Sequence, residues 1–562
     1  MGYRIGLTAL CGAALTSLAA CGGGGGGDNT AVCAPPAAST TGLTLYDSLC
    51  GGTLDGNKWQ APLFSRGVSG GAMVLSTQIS NMESRTIQGK FYATTANVNA
   101  GAQRVTTLKA DVTVPAATSS RTGNAEIRAL VQLVYQPPAN RLIFPGGLLD
   151  ATIIQIGLVD AGSGLQAFRR VSHCDNASCT SRISTGIAFV DPPGFTLDAN
   201  GIEAGAAAAY DTTYTVSASL DESSGVFSWS IAGGTFGAGV AGTADPGTYL
   251  AGNANWTALG ANPLAGSGFS FAALRTQSAD NSALAGSDGS ISARFGNVQV
   301  GFNNAAATLW DDFSGTGQNS GPTELRGLKW TTPGGAPGMG SMALTAGSLA
   351  AHLQATSNST NGISAFDALT FNNTAAINAL QADVTISACS NSSQVPSVPS
   401  NRVQLQGNFY NDGTAATTPP PANEPNSNVG DIRAFLMLDC VNNQAIFEIV
   451  RFNTATTGTL LSNFANSTVP KGPAAVTGNT HTLTMKWDPA TKFFTFQVDG
   501  GTEVVVDPTT VNARMNTAAP YVKAANSPVK QLGWGVFVPP AATATGATAS
   551  MDLKVNNVFT AP

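Results

Sequence analysis

From His481 to Gly500 apolar and polar positions trade places residue by residue. His481, Leu483, Met485 and Trp487 alternate with Thr482, Thr484 and Lys486. The stretch Asp488-Pro489-Ala490-Thr491-Lys492 supplies turn residues, and Phe494, Phe496 and Val498 then alternate with Thr495 and Gln497. Successive side chains of a strand point to opposite faces, so this pattern predicts a hairpin with one buried face. A second segment repeats the design. Tyr214, Val216, Ala218 and Leu220 lead into a turn at 221–225, and Phe227, Trp229 and Ile231 return. Helical periodicity is scarce, and turn residues punctuate the whole chain. The pattern predicts an all-β chain of packed antiparallel sheets.

Laid on itself, the sequence is a tandem repeat. Leu108 to Val114 (LKADVTV) returns as Leu380 to Ile386 (LQADVTI), and Tyr214 to Thr235 aligns without a gap on His481 to Thr502. The openings match as Leu45-Tyr46-Asp47 and Leu309-Trp310-Asp311, each followed by Leu-x-x-x-Lys-Trp ending at Trp59 and Trp330. The ends match at Asn297-Val298 and Asn557-Val558. Each copy runs to roughly 250 residues, the size of a single all-β domain. The expected organisation is a leader at 1–20, a tether at 21–42, a first sandwich at 43–303 and a second at 304–562.

These residues resemble the concanavalin A-like lectin/glucanase jelly roll, a superfamily that includes the laminin G-like domains. The resemblance rests on an opening Asp-Asp-Phe-Ser-Gly (Asp311 to Gly315), the Leu-x-x-x-Lys-Trp, the late hairpin and a closing strand. It implies two tandem antiparallel jelly-roll sandwiches, the first a degraded version, with Ala232 where the second has Asp499. Such a fold hosts lectins, glycosidases, lyases and adhesive modules alike, so it does not by itself imply an activity.

The N-terminus changes the picture. Met1 to Ala20 carries one charged side chain, Arg4, ahead of the apolar stretch Ile5 to Leu18, which is short for a membrane span but suits a signal peptide. It ends in Leu18-Ala19-Ala20-Cys21, which resembles the bacterial lipobox, and the Cys21 thiol would accept a diacylglycerol whose acyl chains hold the protein to membrane. The alternative is an ordinary signal peptide cleaved after Ala20. The unbroken glycines 22–27 argue against it, because they read as a flexible tether beyond a lipid. Gly22 beside the cysteine resembles the pattern sorted to the outer membrane. The expectation is an outer-membrane lipoprotein. Only 11% of residues are charged and the net charge is −6, which leaves no electrostatic footprint for nucleic acid. With Cys11 lost with the leader and Cys21 lipidated, six cysteines remain: Cys33, Cys50, Cys174, Cys179, Cys389 and Cys440. In an oxidising compartment an even count reads as three disulfides, and the pairs proposed are Cys33–Cys50, Cys174–Cys179 and Cys389–Cys440. Buried free thiols are the alternative.

Catalytic signals are few. Laminarinase-type enzymes of this fold set two Glu and an Asp on one strand, about 5 Å apart in the cleft, and no two of the eight Glu here are close enough for that motif. The adjacent acids Asp221-Glu222 and Asp311-Asp312 sit where strands begin or turn, and read as capping residues. Gly67-Val68-Ser69-Gly70-Gly71 matches a hydrolase elbow in letters, without its strand-to-helix context. A calcium ion, common in the superfamily, would draw on Asp47 or Asp311. Binding is better supported. Alternation assigns Trp229 and Trp487 to cores, shared motif positions assign Trp59 and Trp330 to packing, and Trp534 lies in an apolar run. Trp256 remains, on the polar loop Gly252-Asn253-Ala254-Asn255-Trp256-Thr257, with Tyr521 near the equivalent place of the second copy. An aromatic on a polar loop is a functional hint, so Trp256, Tyr521, Asn253 and Asn255 are candidate ligand contacts; the alternative is that each aromatic simply folds over the sandwich edge. The sequence reads as a surface-anchored, non-catalytic module for a polysaccharide or surface glycan. A polysaccharide hydrolase or lyase on the same fold and a structural envelope or matrix protein are the alternatives.

Overall fold

A computed structural model describes residues 42–562 apart from 51–53, 55–57, 60–62, 83–87, 95–103, 120–125, 137–149, 161, 163, 175–181, 184–188, 191–195, 198–202, 252–263, 265–268, 280–286, 317–318, 322–329, 332–338, 346, 357–362, 372–376, 393–400, 415–428, 453–466, 520–528 and 539–546. The chain is all-β, with antiparallel pairing between its named strands and one short α-helix, Pro246–Leu250, among the described residues. The two hairpins form in the register that alternation predicts. Val216, Ala218 and Leu220 lie opposite Ile231, Trp229 and Phe227, and Leu483, Met485 and Trp487 lie opposite Val498, Phe496 and Phe494. All twelve side chains are buried.

Two large apolar cores result. One lies between a nine-stranded sheet, which includes Glu126–Gln136, Thr152–Asp160 and Phe269–Ala279, and the first-repeat part of a seventeen-stranded sheet. The other lies between the second-repeat part of that long sheet and a five-stranded sheet, ordered Ile363–Thr370, Lys530–Val538, Asn401–Asn411, Asp431–Asp439 and Gln444–Arg451. The long sheet runs through both repeats because strand Leu63–Ser69 pairs with Met339–Thr345, Phe64 facing Met342 and Arg66 facing Gly340. Arg66 also makes a bidentate ion pair with Asp367 at 3.1 and 2.7 Å, both side chains almost fully buried.

The sandwiches do not follow the sequence boundary at 303/304. Thr44–Asp47, the opening strand of the first repeat, pairs with the closing strand of the second, Thr548–Ala561, with Thr44 facing Thr560. Leu49, Leu54 and Trp59 sit in the second-repeat core, where Trp59 bridges Phe371 with ring centroids 4.6 Å apart. The second repeat returns the segment. Its opening strand Thr308–Asp311 pairs with the first repeat's closing strand Ser287–Phe302, and Phe313 and Trp330 enter the first-repeat core. Each repeat thus lends its opening segment to the other.

Candidate functional site

Asp47 and Asp311, the candidate calcium ligands, hold equivalent positions in this exchange. Asp47 accepts hydrogen bonds from Leu49 N at 2.9 Å and from Trp59 Nε1 at 2.8 Å. Asp311 accepts from Phe313 N at 2.9 Å, Ser320 N at 3.0 Å and Trp330 Nε1 at 2.7 Å. Leu49 and Phe313 both take left-handed backbone (φ 53° and 55°), which these Asp side chains hold in place. The carboxylates face N–H donors, the reverse of the oxygen-rich surroundings calcium requires, so the donor set does not fit that ion. Among the described residues no three His, Cys, Asp or Glu side chains gather to hold a metal.

The adjacent acids and His481 are also engaged in local hydrogen bonds. Asp221 accepts from Ser223 N at 2.9 Å and from the Ser224 hydroxyl at 2.7 Å, and Asp312 accepts from Ser314 N at 3.0 Å. These bonds hold both carboxyls below the usual range. Glu222 instead accepts from Tyr135 Oη at 2.9 Å and pairs with Arg104 Nε at 2.5 Å. His481 is buried, with Nδ1 2.7 Å from Asp499 Oδ2 and Nε2 3.0 Å from the Ala475 carbonyl oxygen. Ser69 ends a strand, and Gly70 and Gly71 form its hairpin turn at positive φ, so the elbow-like letters mark a β-turn. Cys389 and Cys440 form a disulfide. Cys50 and Cys174 are also disulfide-bonded, while Cys33 and Cys179 lie outside the described residues, as do Cys21, Asn253, Asn255, Trp256 and Tyr521. Trp59, Trp229, Trp330 and Trp534 are buried in cores, as is Trp487.

The arrangement that sequence reasoning missed is on the face of the five-stranded sheet turned away from its core. Val403 and Leu405 point into the core, so Arg402, Gln404 and Gln406 point out. Arg402 Nε donates to Gln404 Oε1 at 2.9 Å, Gln404 Nε2 to Gln406 Oε1 at 2.6 Å, Gln406 Nε2 to Gln531 Oε1, and Gln531 Nε2 to Thr370 Oγ1 at 2.8 Å. This polar row crosses three strands. Its middle is buried, and its ends, Arg402, Gln531 and Thr370, are half-buried. Beside it lies Phe366, 43% exposed. Its ring rests over Gly533 and Gly535: a Cβ on Gly533 would fall 2.3 Å from Phe366 Cζ, and one on Gly535 3.2 Å from Cδ2. The glycines at these two outward positions make the bed for that ring. Glu448 faces the same side, across Phe435 from Gln406. Burial pushes its carboxyl up, against the pull of Arg402. Burial likewise lowers the Arg402 guanidinium, against the carboxylates of Glu448 and Asp439. The alternation Arg402-Val403-Gln404-Leu405-Gln406 was a legible signal. A strand with polar residues on its outward face reads as an ordinary solvated surface, which is why it was passed over.

The first sandwich has a related outer face. Gln132 Oε1 accepts from Arg275 Nη1 at 3.0 Å and from Gln155 Nε2 at 2.7 Å. All three side chains are buried.

No protein family matches the chain, and neither does any curated protein sequence. Among solved structures it is similar to the alginate lyase Aly36B (13% identity, 39% of this chain and 83% of that one, TM-score 0.22). It is also similar to the catalytic domain of an endo-1,3-β-glucanase (laminarinase) from Thermotoga petrophila RKU-1 (9%, 42% and 82%, TM-score 0.22). A third is the GH43 BlXynB protein from Bacillus licheniformis (9%, 89% and 98%, TM-score 0.23). Scores this low assign no activity, and the class of the protein, a double antiparallel β-sandwich, rests on the strand pairing described above.

Proposed function

We propose that this chain is an outer-membrane lipoprotein, anchored through Cys21, whose second sandwich binds glycan without altering it. The observation that carries the reading is Phe366, an exposed ring laid over two glycines beside the Arg402–Gln404–Gln406–Gln531–Thr370 row. A flat apolar face next to fixed donors and acceptors suits a sugar ring, which has an apolar C–H face and a rim of hydroxyls. The internal hydrogen bonds of the row hold Arg402, Gln531 and Thr370 in place before a ligand arrives, so little side-chain entropy is lost on binding. Trp256 with Asn253 and Asn255, and Tyr521, are proposed as further contacts from loops. The pairs Cys33–Cys50 and Cys174–Cys179 are proposed for the remaining cysteines.

A glycan-array screen of the soluble chain from Asp28 onward tests the reading. Retention of a defined glycan, with its chain length unchanged after overnight incubation, is expected. Glu448, with its raised carboxyl on the same face, favours a hydrolase or lyase as the second reading. Cleavage abolished by Glu448→Gln would establish that reading in place of the first.

A further inference from the structure

The exchange of opening segments has a consequence that does not depend on glycan binding. We infer that the two sandwiches are an obligate pair, and that the protein stays whole when the joint between its repeats is cut.

The joint between the halves is exposed. Asn303, Asn304, Ala305 and Ala306 are all exposed, in the turn between the paired strands Ser287–Phe302 and Thr308–Asp311. Exposed turns of small and polar residues are where proteases act first. A cut there leaves an N-terminal fragment whose Thr44–Asp47 strand, Leu49, Leu54 and Trp59 lie in the other fragment's sandwich. Thr44 pairs with Thr560, the Trp59 indole lies against the Phe371 ring at a tilt, and Leu49 and Leu54 are buried in that core. The C-terminal fragment's strand Thr308–Asp311, Phe313 and Trp330 are held by the first sandwich through the Thr308–Val300 and Trp330–Thr94 pairings and the burial of Phe313 and Trp330. The Phe64–Met342 strand pairing and the buried Arg66–Asp367 ion pair join the fragments at a third place. Separating them would require both cores to open together, which is the energetic situation of a domain-swapped pair of chains.

The first and last described strands meet in the same geometry as the joint. Thr44 and Thr560 are strand partners, as Thr308 and Val300 are. The described chain is therefore closed on itself, with its first strand, Thr44–Asp47, paired to the closing strand of the second repeat. A nick at the joint of an anchored molecule would release neither half.

The test replaces Ala305–Ala307 with a site for a specific protease and cuts the folded chain to completion. The fragments are expected to co-elute at the size of the uncut chain under native conditions, to part only in denaturant, and to melt in one transition. Two separate folded species of half size would overturn the inference. A second variant guards against an insertion that spoils folding: Thr44→Cys with Thr560→Cys, at the paired positions. Oxidation is expected to link the two introduced thiols in the full-length chain, as peptide mapping would read. Two free thiols at these positions in the folded chain would show that the opening strand does not close the second sandwich.

Discussion

Lys530 gives the energetics their sharpest test. Its side chain is in phase with Leu532, Trp534 and Val536, so its stem enters the second core, and the residue is only 1% exposed. Gly407, its partner across the sheet, leaves the space that the stem fills. Nζ donates to the Asn408 carbonyl oxygen and sits 4.3 Å from the Phe409 ring centroid, while Arg433 Nε occupies Asn408 Oδ1 at 2.6 Å. Burial pushes this amine down to about 7 from an ordinary 10.5. A lowering of that size corresponds to about 5 kcal/mol held against the charged form. Because the folded pKa lies below the unfolded one, the unfolded chain binds more protons between pH 7 and 10.5, and stability rises with pH across that window. Below pH 7 both states are protonated and the whole penalty is felt. Lys530→Met keeps most of the volume and removes the charge, but loses the hydrogen bond from Nζ to the Asn408 carbonyl oxygen, a cost of about 1–3 kcal/mol. A net gain of about 2–4 kcal/mol is expected at pH 6, which is several degrees in Tm, and by pH 10 it is gone and slightly reversed, because the lost hydrogen bond then outweighs the remaining penalty. Paired thermal melts of the two chains at pH 6, 8 and 10 would read it. A variant no more stable at pH 6, or a gain that does not fade with rising pH, would refute the reasoning.

Three further outcomes follow from the same structure. Cys389→Ser with Cys440→Ser opens a bridge of sequence separation 51, worth about 4 kcal/mol by loop-closure entropy. Calorimetry is expected to show a lowered Tm, and an unchanged Tm would mean that the bridge adds nothing to the fold. Cys21→Ser is expected to move the protein out of the membrane fraction, and its persistence there after a high-salt wash would count against the lipid anchor. Trp256→Ala is expected to weaken glycan binding with Tm almost unchanged, whereas loss of a core aromatic costs about 3–5 kcal/mol. A large fall in Tm would return Trp256 to the core.

Much of this fold was legible because alternation depends only on which face a side chain must occupy. The pairing of Met485 with Phe496 and of Ala218 with Trp229 follows from that rule. The repeat also identified Trp59 and Trp330 correctly as packing residues. It could not say which core each one packs, since a Leu-x-x-x-Lys-Trp motif buries its indole equally well in its own copy or its neighbour's. That choice appears only in pairings far apart in sequence, Thr44 with Thr560 and Phe64 with Met342, which no local period encodes. The candidate site escaped for a related reason. Trp draws the eye as a sugar platform, whereas Phe366 reads as one more apolar residue of a strand. Only the glycines at 533 and 535, on a neighbouring strand more than 160 residues away, show that its ring lies on the outer face.

Phe366 and its polar row are proposed to form a glycan platform. Gly533→Ala tests it most directly, because the new methyl would displace the ring from its bed without removing any group from the core. Binding isotherms against the glycan selected on the array, measured beside melts for Gly533→Ala, Phe366→Ala and the unaltered chain, are the decisive measurement. Both variants are expected to bind at least tenfold more weakly, a loss of about 1.4 kcal/mol, with Tm within a degree or two of the parent. Unchanged affinity in both variants would contradict the account.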